Sequence, residues 1–324
     1  MVVYTYFRGE TYITTAFFIC EEYIMNKKEH LKPAFILCGI VAAIIIILFI
    51  FSNNVNKNVV NNMTGRILYT ETDGGVKQYS FDDDTDTLVS GDIENACFGN
   101  YVSDGIIFAG TDEYGVWNIY FSETGARTDI FYTLPDKAVL IALTGRGSCM
   151  AAAYSDGGKY YITAYDMEKD KEYETLETED ELLSLCFDEE CEKIYYTSFN
   201  GNESILESVR ISGGADEKLL EAGDERLTFI AFRNDTLYFC EDKDGKRTVS
   251  QYTLQRNRAT VLKFSSDEYN CRTICPVYDE KFIVSSDREG VYEIYVCNGS
   301  NMVKADRIGN GKDCFVTAYF NTEE

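Results

Sequence analysis

The run Ile194-Tyr195-Tyr196-Thr197, the pair Asn200-Gly201 and the run Ile205-Leu206-Glu207-Ser208-Val209-Arg210 decide the fold. Both runs are rich in β-branched and aromatic residues, which suit a pleated strand. Asn followed by Gly supplies the positive φ that a tight hairpin needs. A more polar run, Glu217-Lys218-Leu219-Leu220, comes after them, and an apolar one, Leu182-Leu183-Ser184-Leu185-Cys186-Phe187, comes before. Together these read as four short strands in one unit of roughly forty residues.

The unit recurs. Its first run begins at Ile67, Ile106, Met150, Ile194, Leu237 and Phe282, in steps of 39, 44, 44, 43 and 45 residues. Asp or Asn with Gly follows in register at Asp73-Gly74-Gly75, Asp112 to Gly115, Asp156-Gly157-Gly158, Asn200-Gly201, Asp242 to Gly245 and Asp287 to Gly290. A further apolar strand lies between units at Leu140-Ile141-Ala142-Leu143, Leu182–Phe187, Leu227–Phe232 and Arg272-Thr273-Ile274-Cys275. Four strands per unit of this length is the pattern of a propeller blade. The first unit lacks an inner strand upstream, whereas Cys314–Phe320 at the other end resembles one. The pattern therefore predicts an all-β, six-bladed β-propeller over residues 64–321. Its C-terminal strand would close the first blade and remove an open sheet edge.

Ile194–Thr197, followed by Ile205–Gly214 and Lys218-Leu219-Leu220, resembles the YWTD repeat, which builds six-bladed propellers of lipoprotein-receptor type and is similar to repeats in bacterial membrane-anchored propellers. Tyr238 and Tyr69 hold comparable places in their own units. Tyr196 stands where that repeat has Trp, and Ser198 where it has Asp. The resemblance implies the fold and protein interaction as the commonest role. It transfers no binding residue.

Ala34 to Phe51 reads AFILCGIVAAIIIILFIF, without a charge. As a helix it would span about 27 Å, close to the hydrocarbon thickness of a bilayer. Lys27, Lys28 and Lys32 crowd its N-terminal flank, against Lys57 on the other side. Positive-inside bias then places residues 1–33 in the cytoplasm, a transmembrane signal-anchor helix at 34–51, a polar stalk at 52–63 and the propeller outside the cell membrane. Met25-Asn26-Lys27-Lys28 has the form of a natural signal-anchor start, so an upstream start codon is one explanation of residues 1–24, which carry no function in this reading.

Charge narrows the function. The 324 residues carry a net charge of −24, and residues 1–52 sum to zero, so all of it lies beyond the apolar segment. Such a domain repels phosphate backbones, and nucleic acid is not an expected partner. The single histidine, His30, precedes the apolar segment, which leaves the large domain without a His-based triad or zinc site. No cofactor motif is present. Alternate carboxylates at Asp82, Asp84 and Asp86 are the one calcium candidate, but Thr87 and Ile93 occupy the loop's Gly and Glu positions. Nine cysteines follow the apolar segment. An odd count cannot fully pair, so mostly free thiols are expected, with Cys186 and Cys191 flanking a turn where they could pair and Cys271 and Cys275 sharing a strand face.

The expected function is a membrane-anchored, non-enzymatic binding module for a protein, peptide or cell-wall ligand at a propeller face or channel mouth. Trp117, Tyr114 and Tyr154 are its candidate aromatic anchors. The alternatives are a carbohydrate-active hydrolase or lyase using channel carboxylates, and a structural scaffold.

Overall fold

Each repeat unit is a four-stranded antiparallel sheet in the computed structural model, which describes residues 39–46 and 59–321 apart from 73, 124–127, 279 and 310. The chain divides into two compact units, Met1–Asn58 and Val59–Glu324. In the first, residues 39–46 form a helix with Ile40, Val41, Ile44, Ile45 and Ile46 exposed. They fall inside the expected 34–51 span. The remainder of that span, residues 1–33 with His30, and residues 52–58 lie outside the described residues. Among the described residues, no helix is long and apolar enough to cross a membrane.

The second unit is the propeller. Its first blade contains β1 (Arg66–Glu71), β2 (Val76–Ser80) and β3 (Thr85–Leu88), and its second β4 (Glu94–Val102), β5 (Gly105–Thr111), β6 (Trp117–Glu123) and β7 (Thr128–Thr133). The third is β8 (Val139–Arg146), β9 (Cys149–Asp156), β10 (Lys159–Asp166) and β11 (Lys171–Thr178). The fourth is β12 (Glu181–Phe187), β13 (Lys193–Phe199), β14 (Ser204–Arg210) and β15 (Glu217–Glu221). The fifth is β16 (Arg226–Arg233), β17 (Thr236–Lys243), β18 (Lys246–Thr253) and β19 (Arg258–Val261). The sixth is β20 (Cys271–Pro276), β21 (Lys281–Ser286), β22 (Glu293–Asn298) and β23 (Asn301–Lys304). The last strand, β24 (Cys314–Phe320), returns to pair with β1, with Leu68 opposite Ala318, as its sequence predicts. Each innermost strand touches those of its two neighbours, and β24 meets both β4 and β20, which closes the ring.

Turn chemistry and packing follow the repeat. Gly157 and Gly158, at φ 58° and 85°, take the two left-handed positions of the β9–β10 hairpin that a side chain would strain. Among the described residues, six apolar clusters form the core, one between each pair of adjacent blades. Tyr69, Phe108, Phe187 and Phe239 are fully buried there. Each such side chain stabilises by about 1.5–3 kcal/mol through the apolar area removed from water.

Every innermost strand is bulged. The pairing skips Ile141, Leu183, Arg272 and Thr317, sets Phe229 with Ile230 against Phe239, and breaks β4 at two places, one of them Phe98 with Gly99. Two interruptions erase the alternation that would have marked β4, and this explains why its sequence does not read as a strand. The bulge at Arg272 also corrects the expectation for the cysteines. An extra residue inverts the faces beyond it. Cys271 therefore packs between the fifth and sixth blades, and Cys275 between the sixth and first.

The propeller also begins earlier than the expected stalk boundary at 63. Residues 59–61 form a helical turn whose Val59 and Val60 pack with buried Met63 against the core between the sixth and first blades. Tyr278 Oη donates to the Asn62 carbonyl at 3.1 Å and receives the Thr64 amide at 3.2 Å, fixing this turn to the ring.

Candidate functional site

The six innermost strands surround a cavity of about 620 Å³. Small-molecule sites commonly have volumes of about 300–1,000 Å³. The bulges supply its lining, because an extra residue is re-aimed away from the ladder: Phe98, Ile141, Leu183, Phe229, Arg272 and Thr317 all face it. They recur at steps of 43, 42, 46, 43 and 45 residues, so the repeat itself places them around the axis. Serine hydroxyls of neighbouring blades satisfy amides that the bulges free. The Ile230 amide donates to Ser184 Oγ at 3.0 Å and the Val316 amide to Ser285 Oγ at 2.8 Å.

The charge of this lining is unlike that of the chain. Among the described residues, Arg146, Arg233 and Arg272 line the cavity and no Asp, Glu, Lys or His does. Arg146 and Arg233 end their strands, and Arg272 is the second residue of its own. Equivalent innermost strands run in one direction around the ring, so the first two belong to one mouth and Arg272 lies towards the other. Arg146 is tied in place: Nη1 donates to the Phe232 carbonyl at 3.4 Å and Nη2 lies 4.0 Å from Glu189 Oε1.

Arg272 is held differently. Its guanidinium carbon sits 4.2 Å from the Phe315 ring centroid and 6.0 Å from that of Tyr292. Among the described residues it makes neither a hydrogen bond nor an ion pair with any carboxylate. Burial, and then the nearby Arg247, push its pKa below the ordinary value, though an arginine stays protonated. Arg247 itself is neutralised by Asp242, 2.6 Å away.

The other candidates from sequence do not meet here. Asp82 accepts the Gly65 amide, Asp84 pairs with Arg307 and accepts Tyr79 Oη, and Asp86 accepts Tyr69 Oη at 2.7 Å. The three carboxylates thus serve separate contacts, and among the described residues no group of His, Cys, Asp or Glu could hold a metal ion. Tyr154 is buried against Tyr161, with ring centroids 5.4 Å apart, so it is packing and not a surface anchor. Trp117 is half-buried against the core between the second and third blades. Tyr114 is 83% exposed on the β5–β6 loop, away from the channel.

All nine cysteines of the propeller are free thiols. Burial pushes Cys97, Cys271 and Cys275 up to about 12, far from a reactive thiolate. The neighbour of Cys191 is Cys149 on the adjacent blade, in place of Cys186. A hydrogen bond between the two thiols lowers the Cys149 pKa and raises that of Cys191. Strand periodicity and motif spacing do not single out the channel arginines. Their signal is a cation inside or ending an otherwise apolar inter-unit strand of a strongly acidic chain.

No protein-family model matches the chain, and a search of curated proteins finds no match. Solved structures do. An oligogalacturonate lyase in complex with manganese is similar at a TM-score of 0.54 and 13% identity, over 75% of this chain and 74% of that one. TolB from Acinetobacter baumannii is similar at 0.57 and 12%, over 79% and 66%. A nidogen/laminin complex is similar at 0.52 and 11%, over 78% and 97%. At such identities the likeness concerns the fold alone, a six-bladed propeller.

Proposed function

We propose that the chain is a membrane-anchored binding module that takes its ligand in the central channel of the propeller, outside the membrane. The cavity of about 620 Å³ carries this reading, being apolar in the main with a few polar groups converging on it. A purely structural scaffold has no need of such a space. The enzymatic alternative required channel carboxylates, and the described lining has none. Among the similar structures one is a lyase and another a protein complex, so they favour neither class. Anchoring rests on the uncharged run 34–51 and the lysines before it, and eight residues of that run are helical with apolar side chains exposed.

Two experiments test it. In alkaline extraction of cell membranes, the full chain is expected in the pellet and a chain lacking residues 34–51 in the supernatant. Recovery of the full chain in the supernatant would refute the anchor. A thermal-shift screen of the detergent-solubilised full chain against a small-molecule library should give hits that Ile141→Trp, which fills the channel, abolishes. Hits insensitive to Ile141→Trp would move the site elsewhere.

A further inference from the structure

We propose that the channel selects a small organic oxyanion with an apolar body, and that Arg272 is the residue that receives its charged head. This rests on the reading of the channel as a ligand site and adds the chemical class of the ligand.

Four observations converge. The bulge at Arg272 takes this residue out of the ladder, since the flanking pairs are Cys271 with Ser286 and Thr273 with Ser285. Its neighbour Thr273 is instead committed to the blade, donating to Ser285 Oγ at 2.8 Å. The guanidinium lies against Phe315 and beside Tyr292, and this fixes the plane of its donor fork while leaving the fork itself unused. Finally, among the described residues the lining offers no carboxylate to neutralise it.

A half-buried cation without an ion-pair partner is unfavourable, since Asp313 acts on it only from a distance, and a cation–π contact offsets only about 0.5–2 kcal/mol. A bidentate oxyanion, carboxylate or phosphate ester, satisfies the fork directly. The remainder of the ligand would meet Ile141, Leu183 and Phe229, which are apolar. Arg146 and Arg233 at the opposite mouth add positive potential along the same axis, within a chain of net charge −24 that otherwise repels anions. The plainer account is that Arg272 only packs on Phe315. In that case the charge of a ligand would make no difference to its binding.

Titration calorimetry on the full chain in matched detergent separates these accounts, with 2-naphthoate and the uncharged 2-naphthamide as probes. Naphthoate is expected to bind about tenfold or more tightly than naphthamide, with the preference lost in Arg272→Gln and partly kept in Arg272→Lys. Arg258→Gln, on an exposed outer strand, should retain the preference. Equal binding of both probes by the unaltered chain would overturn the oxyanion inference while leaving the channel reading in place. Binding of neither probe would overturn the channel reading and the inference with it. The comparison of probes on the unaltered chain needs no variant to fold. Where Arg272→Gln does fold, as judged by its circular dichroism, an unchanged preference assigns Arg272 to packing and overturns its role.

Discussion

The innermost and outermost strands of the ring belong to the same sheets and share the same hydrogen-bonding pattern, yet their chemistry is opposite. On the six outermost strands Lys171, Lys218, Arg258 and Lys304 stand against seven carboxylates, Asp86, Asp129, Glu172, Glu174, Glu177, Glu217 and Glu221, for a net of −3. On the six innermost, Arg146, Arg226, Arg233 and Arg272 stand against Glu94 and Glu181, for a net of +2. The outer strands are largely exposed, and β3 has no buried residue at all, while β7, β11 and β15 skip one residue each, Phe131, Thr175 and Leu219. The inner strands are bulged, and they pack on both neighbouring blades. Acidic charge predominates at the rim, and the bulged residues line the cavity at the axis.

The largest break of this contrast is removal of an inner strand. Deleting residues 314–324 takes away β24 and opens the first blade, and loss of the cooperative thermal transition by circular dichroism is expected. Replacing the outer strand β19 (Arg258–Val261) by Gly-Ser-Gly-Ser should leave one cooperative transition at a lower Tm. Equal outcomes for the two would erase the distinction.

Next comes Gly65→Ala. Gly65 has φ 84°, and a Cβ there would strike the Phe320 carbonyl oxygen of β24. Both effects oppose closure, and a loss of about 2 kcal/mol or more is expected in urea unfolding. Ser285→Ala follows at about 1–3 kcal/mol, because it strands the buried Val316 amide beside the bulge of β24. The exposed outer residue Ile130, substituted by Ser, should change stability by no more than about 0.5 kcal/mol.

Between the two rings lies a group that senses pH. Glu207 on β14 has its pKa raised, first by burial, with the hydrogen bond from Ser198 Oγ at 3.1 Å opposing the shift. Its folded form holds a proton more tightly than the unfolded chain does. The stability this group contributes is therefore complete at low pH and declines as pH rises through the folded pKa. Glu207→Gln should flatten that decline in Tm measured against pH, and identical slopes for the two chains would exclude the assignment.

The middle strands are legible because they obey period two, and the Asp-Gly and Asn-Gly turns announce their hairpins. What the sequence hides sits on the inner strands, where one inserted residue inverts the pattern. Cys271 and Cys275 look like same-face neighbours until the bulge at Arg272 separates them into different cores. β4 carries two such breaks and reads as no strand at all. The same irregularity that obscured these strands aims Phe98, Ile141, Leu183 and Phe229 into the cavity. Asp82, Asp84 and Asp86, marked by their alternate spacing, and Tyr154, marked by its type, serve turns and packing, because neither spacing nor type specifies direction.

The pairing of β1 with β24 also sets a schedule. Leu68 waits for Ala318, a partner some 250 positions later, before the first blade has its inner edge. Until residue 320 has been made, five blades can assemble while the first stays unfinished and its backbone unsatisfied. Such long-range contacts form late and leave an adhesive edge in the interim. A ribosome paused before residue 314 would hold an arc in place of a ring, and it is then that the chain is most open to mispairing with another copy of itself.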